Sequence, residues 1–330
     1  MAKLWRTLCL SIGLISFLQA CTPSAEHVSR HERAESRIQA AAISHDGQFS
    51  LLASSEHGLL LYSADNQLIH NWQQDDQGIA QIRAVDISAD NQVAVAASGE
   101  TLALWNTTSG EVMGYWRNDE SRIRDIAVSN QGRVIALGRG DGVIVVFEPI
   151  SGRRIEFFGH SERINSIDIS PNGRYVLSGA DDHKSILWDT QSGQVIHEFP
   201  AEARITQVRL NPDGSQAFTA TGQQADIWDL TSGQLVTSLQ HHNRYKVFIS
   251  AAFSGDGQYI VTGSPSRHVE IWRTTDGKRL AATQVSGREG DYPPRAAVIA
   301  VAFIGQSGHI ITENSAGFGE RWQLGTLFEP

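Results

Sequence analysis

The sequence predicts an all-β protein made of similar four-stranded antiparallel units. One stretch of the 330 residues, from Gly159 to Phe199, shows the unit most clearly. It contains four short apolar or β-branched runs, separated by Pro-Asn-Gly, Gly-Ala-Asp-Asp and Gln-Ser-Gly. Short β-branched runs divided by such residues indicate strands joined by tight turns. A sheet of about forty residues cannot bury both of its faces alone, so further copies are expected.

Two features recur along the chain and mark seven copies of this unit. The first is a turn after the first strand, which reads Pro171-Asn172-Gly173 in the clearest copy. The second is an aromatic residue that ends the third strand, at successive spacings of 43, 42, 41, 40, 44 and 50 residues. A repeat of this length predicts a seven-bladed β-propeller with one sheet per blade. The recurring aromatic residues are Tyr62, Trp105, Phe147, Trp188, Trp228, Trp272 and Trp322.

The fourth copy carries the signature of a known repeat. It opens with Gly159-His160 and ends its third strand with Trp188-Asp189, and the fifth copy has Trp228-Asp229. With the period, these pairs make residues 36–322 resemble the WD-repeat family of β-propellers. The resemblance implies a structural hydrogen-bond chain inside the fourth blade. Its members are His160, Ser178, Asp182 and Trp188.

The other copies depart from this pattern. Asp141 matches the aspartate in the third copy, but the histidine that would pair with it is missing. The fifth, sixth and seventh copies have no aspartate at that place. We therefore expect these three blades to be held mainly by packing.

The last copy lacks a fourth strand of its own. After Trp322 only residues 323–330 remain, with no turn and strand like those that follow Trp188. In propellers of this family the N-terminal segment commonly completes the final blade. We therefore predict that Val28 to Glu32 closes the ring, with Thr326 to Glu329 as the alternative. A closed ring has few bare strand edges, so packing can stabilise it without disulfide bonds.

The N-terminal residues predict an export signal. Lys3 and Arg6 precede an apolar run from Leu8 to Leu18, which is too short to span a bilayer. The run ends in Leu-Gln-Ala followed by Cys21, which resembles the lipobox of bacterial lipoproteins. In that family the cysteine is acylated and becomes the new N-terminus. The alternative is an ordinary signal peptide that is cleaved near Ala20.

The lipobox resemblance implies both a division of the chain and a location. A lipoprotein signal peptide occupies residues 1–20, the acylated cysteine and a short tether occupy 21–26, and the propeller occupies 27–330. By the sorting rule of Gram-negative lipoproteins, Thr22 in place of aspartate implies the outer membrane. We therefore expect a protein held by lipid at the periplasmic face of the outer membrane.

The charge balance argues against some partners. The formal net charge is −9, and removal of residues 1–20 takes away Lys3 and Arg6 and makes it −11. Nucleic-acid binding depends on neutralising phosphates, so no nucleic-acid partner is expected. Attachment to an anionic membrane is expected only through the lipid, because an acidic protein gains nothing there by electrostatics.

No catalytic or cofactor motif is present in the sequence. It contains no His-Glu-x-x-His, Gly-x-Ser-x-Gly, Cys-x-x-Cys or Walker loop. His241-His242 is the one adjacent pair of histidines, and neighbouring side chains in a strand or loop usually point apart. We therefore expect no enzyme activity, no cofactor and no metal.

A cluster of arginines is predicted at one end of the central channel. Counting seven residues back from Ser44, and from the matching residue of three other copies, always reaches an arginine. These arginines precede the innermost strands, so they should lie near the channel rim on one face; Gln81 fills the place in the second copy. With nearby residues of the same loops, the candidate partner face is Arg37, Arg122, Arg163, Arg204, Arg244, Tyr245, Tyr292 and Arg295.

Two interpretations of these arginines remain open. In the first, each pairs with a local acid, and exposed pairs of that kind contribute only about 0–1 kcal/mol. In the second, they form a guanidinium ring for carboxylates or phosphates of a partner. The candidate local acids are Glu35, Asp119, Glu120, Glu162 and Glu202.

The expected function is a non-enzymatic protein-interaction platform. In the WD-repeat family the face that carries these loops is the usual partner surface, so an unidentified envelope protein is the expected partner of a monomeric propeller. Arginine and aromatic side chains together are common anchors of protein interfaces. Two alternatives remain: a hydrolase or lactonase with its site in the central channel, and a component of an outer-membrane assembly complex.

Overall fold

The computed structural model describes residues 25–72, 81–241, 246–290 and 295–325. In these ranges the chain forms seven four-stranded antiparallel sheets, which confirms the predicted all-β propeller. A short 3-10 helix, Asn130–Gly132, forms part of the first turn of the third blade. Within the same ranges, no helix has both the length and the apolar character needed to cross a bilayer.

Six blades take their four strands consecutively from the chain, from the innermost strand to the outermost. Blade 1 contains β2 (Ile38–Ile43), β3 (Phe49–Ser54), β4 (Gly58–Ser63) and β5 (Leu68–Trp72). Blade 2 contains β6 (Ala84–Ile87), β7 (Val93–Ala97), β8 (Thr101–Asn106) and β9 (Val112–Arg117). Blade 3 contains β10 (Ile123–Val128), β11 (Ile135–Arg139), β12 (Ile144–Phe147) and β13 (Arg154–Phe157). Blade 4 contains β14 (Ile164–Ile169), β15 (Tyr175–Ala180), β16 (Lys184–Asp189) and β17 (Val195–Pro200).

The remaining blades continue the series. Blade 5 contains β18 (Ile205–Leu210), β19 (Gln216–Thr221), β20 (Ala225–Asp229) and β21 (Leu235–Ser238). Blade 6 contains β22 (Ser250–Phe253), β23 (Tyr259–Gly263), β24 (His268–Arg273) and β25 (Arg279–Gln284). Blade 7 contains β26 (Val298–Phe303), β27 (His309–Asn314) and β28 (Phe318–Gln323), and its outermost strand is β1 (Glu26–Glu32).

The blades form a closed ring around a central channel. Each innermost strand contacts that of the next blade, and β26 of the last blade contacts β2 of the first. Because neighbouring strands are antiparallel, the loops that enter the innermost strands share one face with the loops between second and third strands. We call this the mouth face. The hairpin turns after first and third strands lie on the opposite face, which we call the turn face.

Strand β1 completes the last blade, so the predicted closure by the N-terminal segment is confirmed. It pairs antiparallel with β28, from Glu26 opposite Gln323 to Glu32 opposite Phe318. The strand therefore runs from the turn face to the mouth face. The alternative closing segment, residues 326–329, lies outside the described residues.

A buried arginine follows β1 and joins the last blade to the first. The guanidinium of Arg33 lies 3.3 Å from the buried carboxylate of Glu313 in blade 7. On the side of blade 1 it donates a 2.6 Å hydrogen bond to Asn66 Oδ1 and lies over the Tyr62 ring, 4.6 Å from the centroid. The Tyr62 hydroxyl in turn donates to the Arg33 carbonyl oxygen at 2.8 Å. Burial raises the pKa of Glu313, while Arg33 lowers it.

The hydrogen-bond chain implied for the fourth blade is present. Trp188 Nε1 donates to Ser178 Oγ at 3.0 Å, and His160 Nε2 lies 2.8 Å from the same hydroxyl. On its other side, His160 Nδ1 lies 3.0 Å from Asp182 Oδ2. Four side chains from three segments therefore tie the second and third strands to the entering loop.

Blades 5 to 7, expected to be held mainly by packing, also keep one side-chain hydrogen bond of the chain. Their tryptophans keep the first bond of the chain, because a threonine replaces the serine as acceptor on the second strand. The three distances, all from indole Nε1 to threonine Oγ1, are 2.9 Å for Trp228 and Thr219, 2.9 Å for Trp272 and Thr262, and 3.2 Å for Trp322 and Thr312.

The pair of Arg33 and Glu313 is expected to hold the ring closed. Arg33→Met leaves a buried carboxylate without its cation, and removing one partner of a buried pair costs about 3–5 kcal/mol. The double variant Arg33→Met/Glu313→Gln should recover much of that free energy of unfolding. As a control, Arg30→Met removes an exposed cation that lies over the Phe318 ring, and should cost about 1 kcal/mol or less. Equal urea midpoints for Arg33→Met and Arg30→Met would contradict this role.

Candidate functional site: the channel mouth

One residue from each blade lines a chamber where the channel opens on the mouth face. Each of the seven directly follows a buried apolar residue that lies at the start of the innermost strand, such as Ile123 in blade 3, or just before that strand, as in blades 2 and 6. The chamber has a volume of about 290 Å³. We call it the mouth chamber, and the seven residues are Gln39, Arg83, Arg124, Asn165, Thr206, Ile249 and Ile299.

A local irregularity of the strands turns these side chains into the channel. In five blades the register shifts at this residue, as between Ile123 and Asp125, so that Arg124 has no partner on the neighbouring strand. A β-bulge of this kind re-aims one side chain without ending the strand. In blade 2 the N–H of Arg83 donates to the Ala97 carbonyl, although Ala97 is already the partner of the following residue. Blade 6 does the same at Ile249.

The chamber wall differs in chemistry from one side to the other. Blades 2 and 3 contribute the exposed arginines Arg83 and Arg124. Blades 6 and 7, on the far side of the ring, contribute the half-buried side chains of Ile249 and Ile299. Amide and hydroxyl side chains from blades 1, 4 and 5 lie between. The repeated scaffold therefore presents a cationic side and an apolar side across one opening.

Arg83 connects this chamber with two further clefts of the mouth face. One cleft, of about 540 Å³, is lined by Arg37, Gln81 and Arg83 together with Ile249 and Ile299. The other, of about 390 Å³, lies beside blade 2 and is lined by Arg83, Arg122 and Tyr115 among others. The arginines of blades 1 to 3 thus form one surface around the mouth.

Most of the predicted arginines that the structure describes make no ion pair. Arg37, Arg122, Arg204 and Arg295 are exposed, and within the described residues no carboxylate oxygen lies within 4.0 Å of their guanidinium nitrogens. The same is true of Arg83 and Arg124 in the described part of the chain. Arg163 is the exception among the predicted residues, because its Nε lies 2.6 Å from Asp181 Oδ2.

Two of the acids considered as local partners of the predicted arginines form ion pairs with other arginines. Glu120 pairs with Arg139 and Arg154, while Asp119 pairs with Arg117. These contacts lie among the strands and loops of blades 2 and 3. The acids nearest in sequence to Arg122 are therefore already paired with other arginines.

The remaining residues predicted for the partner face, and other aromatic and basic residues of the neighbouring segments, fall in different places. Arg244, Tyr245, Tyr292 and the predicted lipidation site, Cys21, lie outside the described residues. Phe248 is buried in the core of blades 5 and 6, and Trp116 on β9 packs against Phe147 with 5.2 Å between ring centroids. Lys246 pairs with the buried carboxylate of Glu270. None of these three described side chains contributes a free group to the mouth face.

Sequence reasoning missed Arg83 and Arg124, which line the chamber itself. Counting seven residues back from Ser44 and the matching residue of three other copies reaches the rim of the channel and passes over the position that points into the chamber. Counting five back from Ser88 and Ser129 reaches both arginines. The signal was present, but only the position of the bulge shows that this offset points into the channel.

Deeper in the channel, carboxylates fasten neighbouring blades together. Asp86 Oδ2 accepts the backbone N–H of Val128 at 2.8 Å, and Asp168 Oδ2 accepts that of Leu210 at 2.7 Å. Each bond joins one blade to the innermost strand of the next. The Arg209 guanidinium continues the series by donating from Nε to the carbonyl oxygen of residue 251 at 3.1 Å.

Asp125 makes the same kind of bond just below the mouth. Its Oδ2 accepts the N–H of Ile167 at 2.9 Å, and its Oδ1 accepts that of Ile126 at 3.0 Å. Desolvation in the channel raises the pKa of Asp125 to about 6, against the lowering effect of Arg209. For Asp86, desolvation and the nearby Asp168 raise the pKa to about 7.

The cavity deeper in the channel is much smaller than the mouth chamber. The cavity lined by Asp86, Asp168, Arg209 and His45 has a volume of about 50 Å³. Two of its groups, Asp86 and Asp168, are already bonded to backbone N–H groups of the next blade. Among the described residues, no group of three or more histidine, cysteine or acidic side chains could hold a metal ion.

Two segments of the chain match the sequence model of the family described as WD domain, G-beta repeat. They are residues 152–189 and 233–273. Each segment begins with the outermost strand of one blade, β13 or β21, and continues through the first three strands of the next. Together with the seven-bladed ring, these matches support the WD-repeat propeller family. None of the curated proteins compared with the chain matches it.

The raised pKa of Asp86 predicts a pH-dependent stability. The folded state holds this proton more tightly than the unfolded state, where the pKa is near 3.8, so stability falls as the pH rises from about 4 to 7. Asp86→Asn keeps the acceptor for Val128 and has no proton to lose. At pH 8 its melting temperature should exceed that of the parent by roughly 2–6 °C, at pH 5 the difference should be less than half as large, and below about pH 4 the two should agree.

The control for this prediction is Asp65→Asn, which changes an exposed aspartate in a turn of blade 1. It should leave the pH dependence of the melting temperature unchanged between pH 5 and 8. The measurement is differential scanning calorimetry of all three proteins. If Asp86→Asn and the parent lost stability equally over this range, Asp86 would not be the titrating group.

Proposed function

We propose that this protein is a non-enzymatic protein-interaction platform whose partner docks on the mouth face. The observation that carries the proposal is the set of exposed arginines around the channel mouth that make no ion pair in the described residues. They are Arg37, Arg83, Arg122, Arg124, Arg204 and Arg295.

The unpaired arginines are informative because the protein is acidic overall. With a formal net charge of −9 there are acids to spare, yet those near Arg122 pair with other arginines. A guanidinium offers five N–H donors in a planar fork that fits carboxylates and phosphates. Arginine beside aromatic side chains such as Tyr115 is common at the energetic centres of protein interfaces.

The second part of the proposal is a lipid anchor at Cys21, at the periplasmic face of the outer membrane. It is supported by the apolar run that ends before Cys21 and by the short distance from there to β1. Glu26 is the fifth residue after Cys21, and five residues of extended chain span at most about 17 Å. Because β1 begins on the turn face, an anchored protein would direct its mouth face away from the membrane.

The rival proposal of a hydrolase in the channel has less support. Acidic side chains do converge in the channel, but Asp86, Asp125 and Asp168 all accept backbone N–H bonds between blades. The wider chamber above them offers arginines, amides, isoleucines and the hydroxyl of Thr206, and among the described residues that hydroxyl donates to the Ala220 carbonyl oxygen and is not paired with a base. The arrangement favours binding over bond cleavage.

Site-specific photo-crosslinking in intact cells tests the platform. A photoreactive amino acid at Arg122 or Arg204 should form a discrete protein adduct, because both side chains project from the mouth face. The matched control is Arg133, an exposed arginine in a hairpin turn of the turn face, where no adduct is expected. Adducts at Arg133 alone would place the partner on the wrong face and refute the proposal. An adduct with a β-barrel protein would identify the platform as part of an outer-membrane assembly complex.

The anchor has its own test. Cys21→Ala should release the protein from the membrane fraction, since acyl chains supply the attachment, and should abolish incorporation of labelled palmitate. The matched control is Cys9→Ala, which changes the other cysteine of the chain within the apolar run. Membrane retention that survives Cys21→Ala would exclude the lipid anchor, while loss of retention with Cys9→Ala alone would point to a different anchor.

A further inference from the structure

The mouth chamber has the features of a peptide site. Resting on the proposed interaction function, we infer that it binds an extended segment of the partner in which an acidic side chain adjoins an apolar side chain. The acid would lie against Arg83 and Arg124, and the apolar side chain against Ile249 and Ile299. Arg83 and Arg124 would thus select the acidic side chain of the ligand, and Ile249 and Ile299 the apolar one.

The cationic side of the mouth chamber is formed by two equivalent positions in neighbouring blades. Arg83 and Arg124 occupy the same place in adjacent blades, directly after a buried isoleucine, so they enter the chamber at the same depth. Both are exposed and make no ion pair with described residues. Two guanidinium groups side by side can each donate paired hydrogen bonds to carboxylate oxygens.

Asp125, the carboxylate that the described residues place in the chamber wall, makes no ion pair with either arginine. Both oxygens of Asp125 accept backbone N–H groups, from Ile126 and Ile167. It lies below the arginines, towards the half-buried Arg209, whose charge lowers the pKa of Asp125. A second acid from outside is therefore needed to pair with the two arginines at the mouth.

The apolar half lies across the ring. Counting around seven blades, blade 6 is opposite the boundary between blades 2 and 3, so Ile249 faces the two arginines across the opening. Ile299 of blade 7 extends this apolar surface, and both side chains are half-buried. An apolar side chain placed there removes their exposed surface from water, at about 25 cal/mol for each Å² buried.

The volume of the mouth chamber and the small cavity below it allow only a short segment of a ligand to enter. The chamber holds about 290 Å³ and opens into the cleft of about 540 Å³ beside Arg37, whereas the cavity below it holds only about 50 Å³. A ligand can thus enter from the mouth face and end in the chamber. Gln39 and Thr206 add amide and hydroxyl groups that can bond a peptide backbone, which favours a peptide over a simple inorganic anion.

A random heptapeptide display library, selected on the immobilised full-length protein in detergent, tests the inference. The parent should enrich peptides with aspartate or glutamate next to leucine, isoleucine, valine or phenylalanine. Arg83→Gln/Arg124→Gln should lose the enrichment of acids by at least tenfold, and Ile249→Asn should lose the apolar preference. Arg133→Gln, which removes an exposed arginine of the turn face, should behave as the parent.

A double-mutant cycle on one enriched peptide makes the test quantitative. Replacing its acid by the amide should weaken binding to the parent at least tenfold, but binding to Arg83→Gln/Arg124→Gln less than twofold. Melting temperatures within a few degrees of the parent show that the variants are folded. Absence of enrichment, or enrichment that persists unchanged in Arg83→Gln/Arg124→Gln, would overturn the inference.

The two proposals fail in different ways. Adducts from the mouth face in cells without any acidic and apolar enrichment would overturn the chamber inference and leave the platform standing. Enrichment without adducts at Arg122 or Arg204 would support the chamber as a peptide site and overturn the proposed docking of a protein across the rim.

Discussion

Pairing of β1 with β28 is the interaction on which the rest of the structure depends. It joins segments from the two ends of the described chain, and without it the last blade would present the backbone edge of β28 to water. The His27 ring covers Trp322 edge-on at 5.0 Å between centroids, so the pairing also shields the repeated tryptophan of that blade. Only a closed ring fixes the distance across the channel. The opposition of arginines and isoleucines at the mouth therefore depends on a contact at the periphery.

Much of the fold could be predicted because its determinants are local and repeated. The turn residues and the aromatic residue of each third strand recur at nearly constant spacing, which reveals the blades before any contact is known. Closure could be predicted from a missing strand. Other features depend on which side chains the ring brings together: the acceptor threonines of blades 5 to 7, the pair of Arg33 with Glu313, and the pair of Arg163 with Asp181. The two ion pairs join residues whose spacing in sequence has no recognisable signature. Thr262 and Thr312, by contrast, lie ten residues before their tryptophans, the spacing that separates Ser178 from Trp188.

Part of the candidate site could likewise be predicted from the sequence, and part of it could not. The sequence located the rim through Arg37 and Arg122, since rim residues precede the strands at a constant offset. The chamber residues Arg83 and Arg124 follow one buried residue later, and their direction is decided by a bulge that has no sequence signal of its own. Similar backbones and different side chains at that one position give the channel mouth its asymmetry. The repeated backbone determines where these side chains lie, and the differences in residue type between blades determine the charge and polarity of the channel mouth.

The two outer strands of blade 7, β1 and β28, come from opposite ends of the propeller sequence and are synthesised at different times. Strand β1 leaves the ribosome long before its partner β28, so it must wait unpaired while nearly the whole ring is synthesised. Its sequence, Glu-His-Val-Ser-Arg-His-Glu, holds one large apolar residue among polar and charged ones, a composition that discourages pairing with foreign strands during that interval. The polarity of this strand is thus suited to the order of synthesis as much as to the finished ring. A more apolar β1 would pair well with β28, but it would also be prone to pair with strands of other proteins before β28 is synthesised.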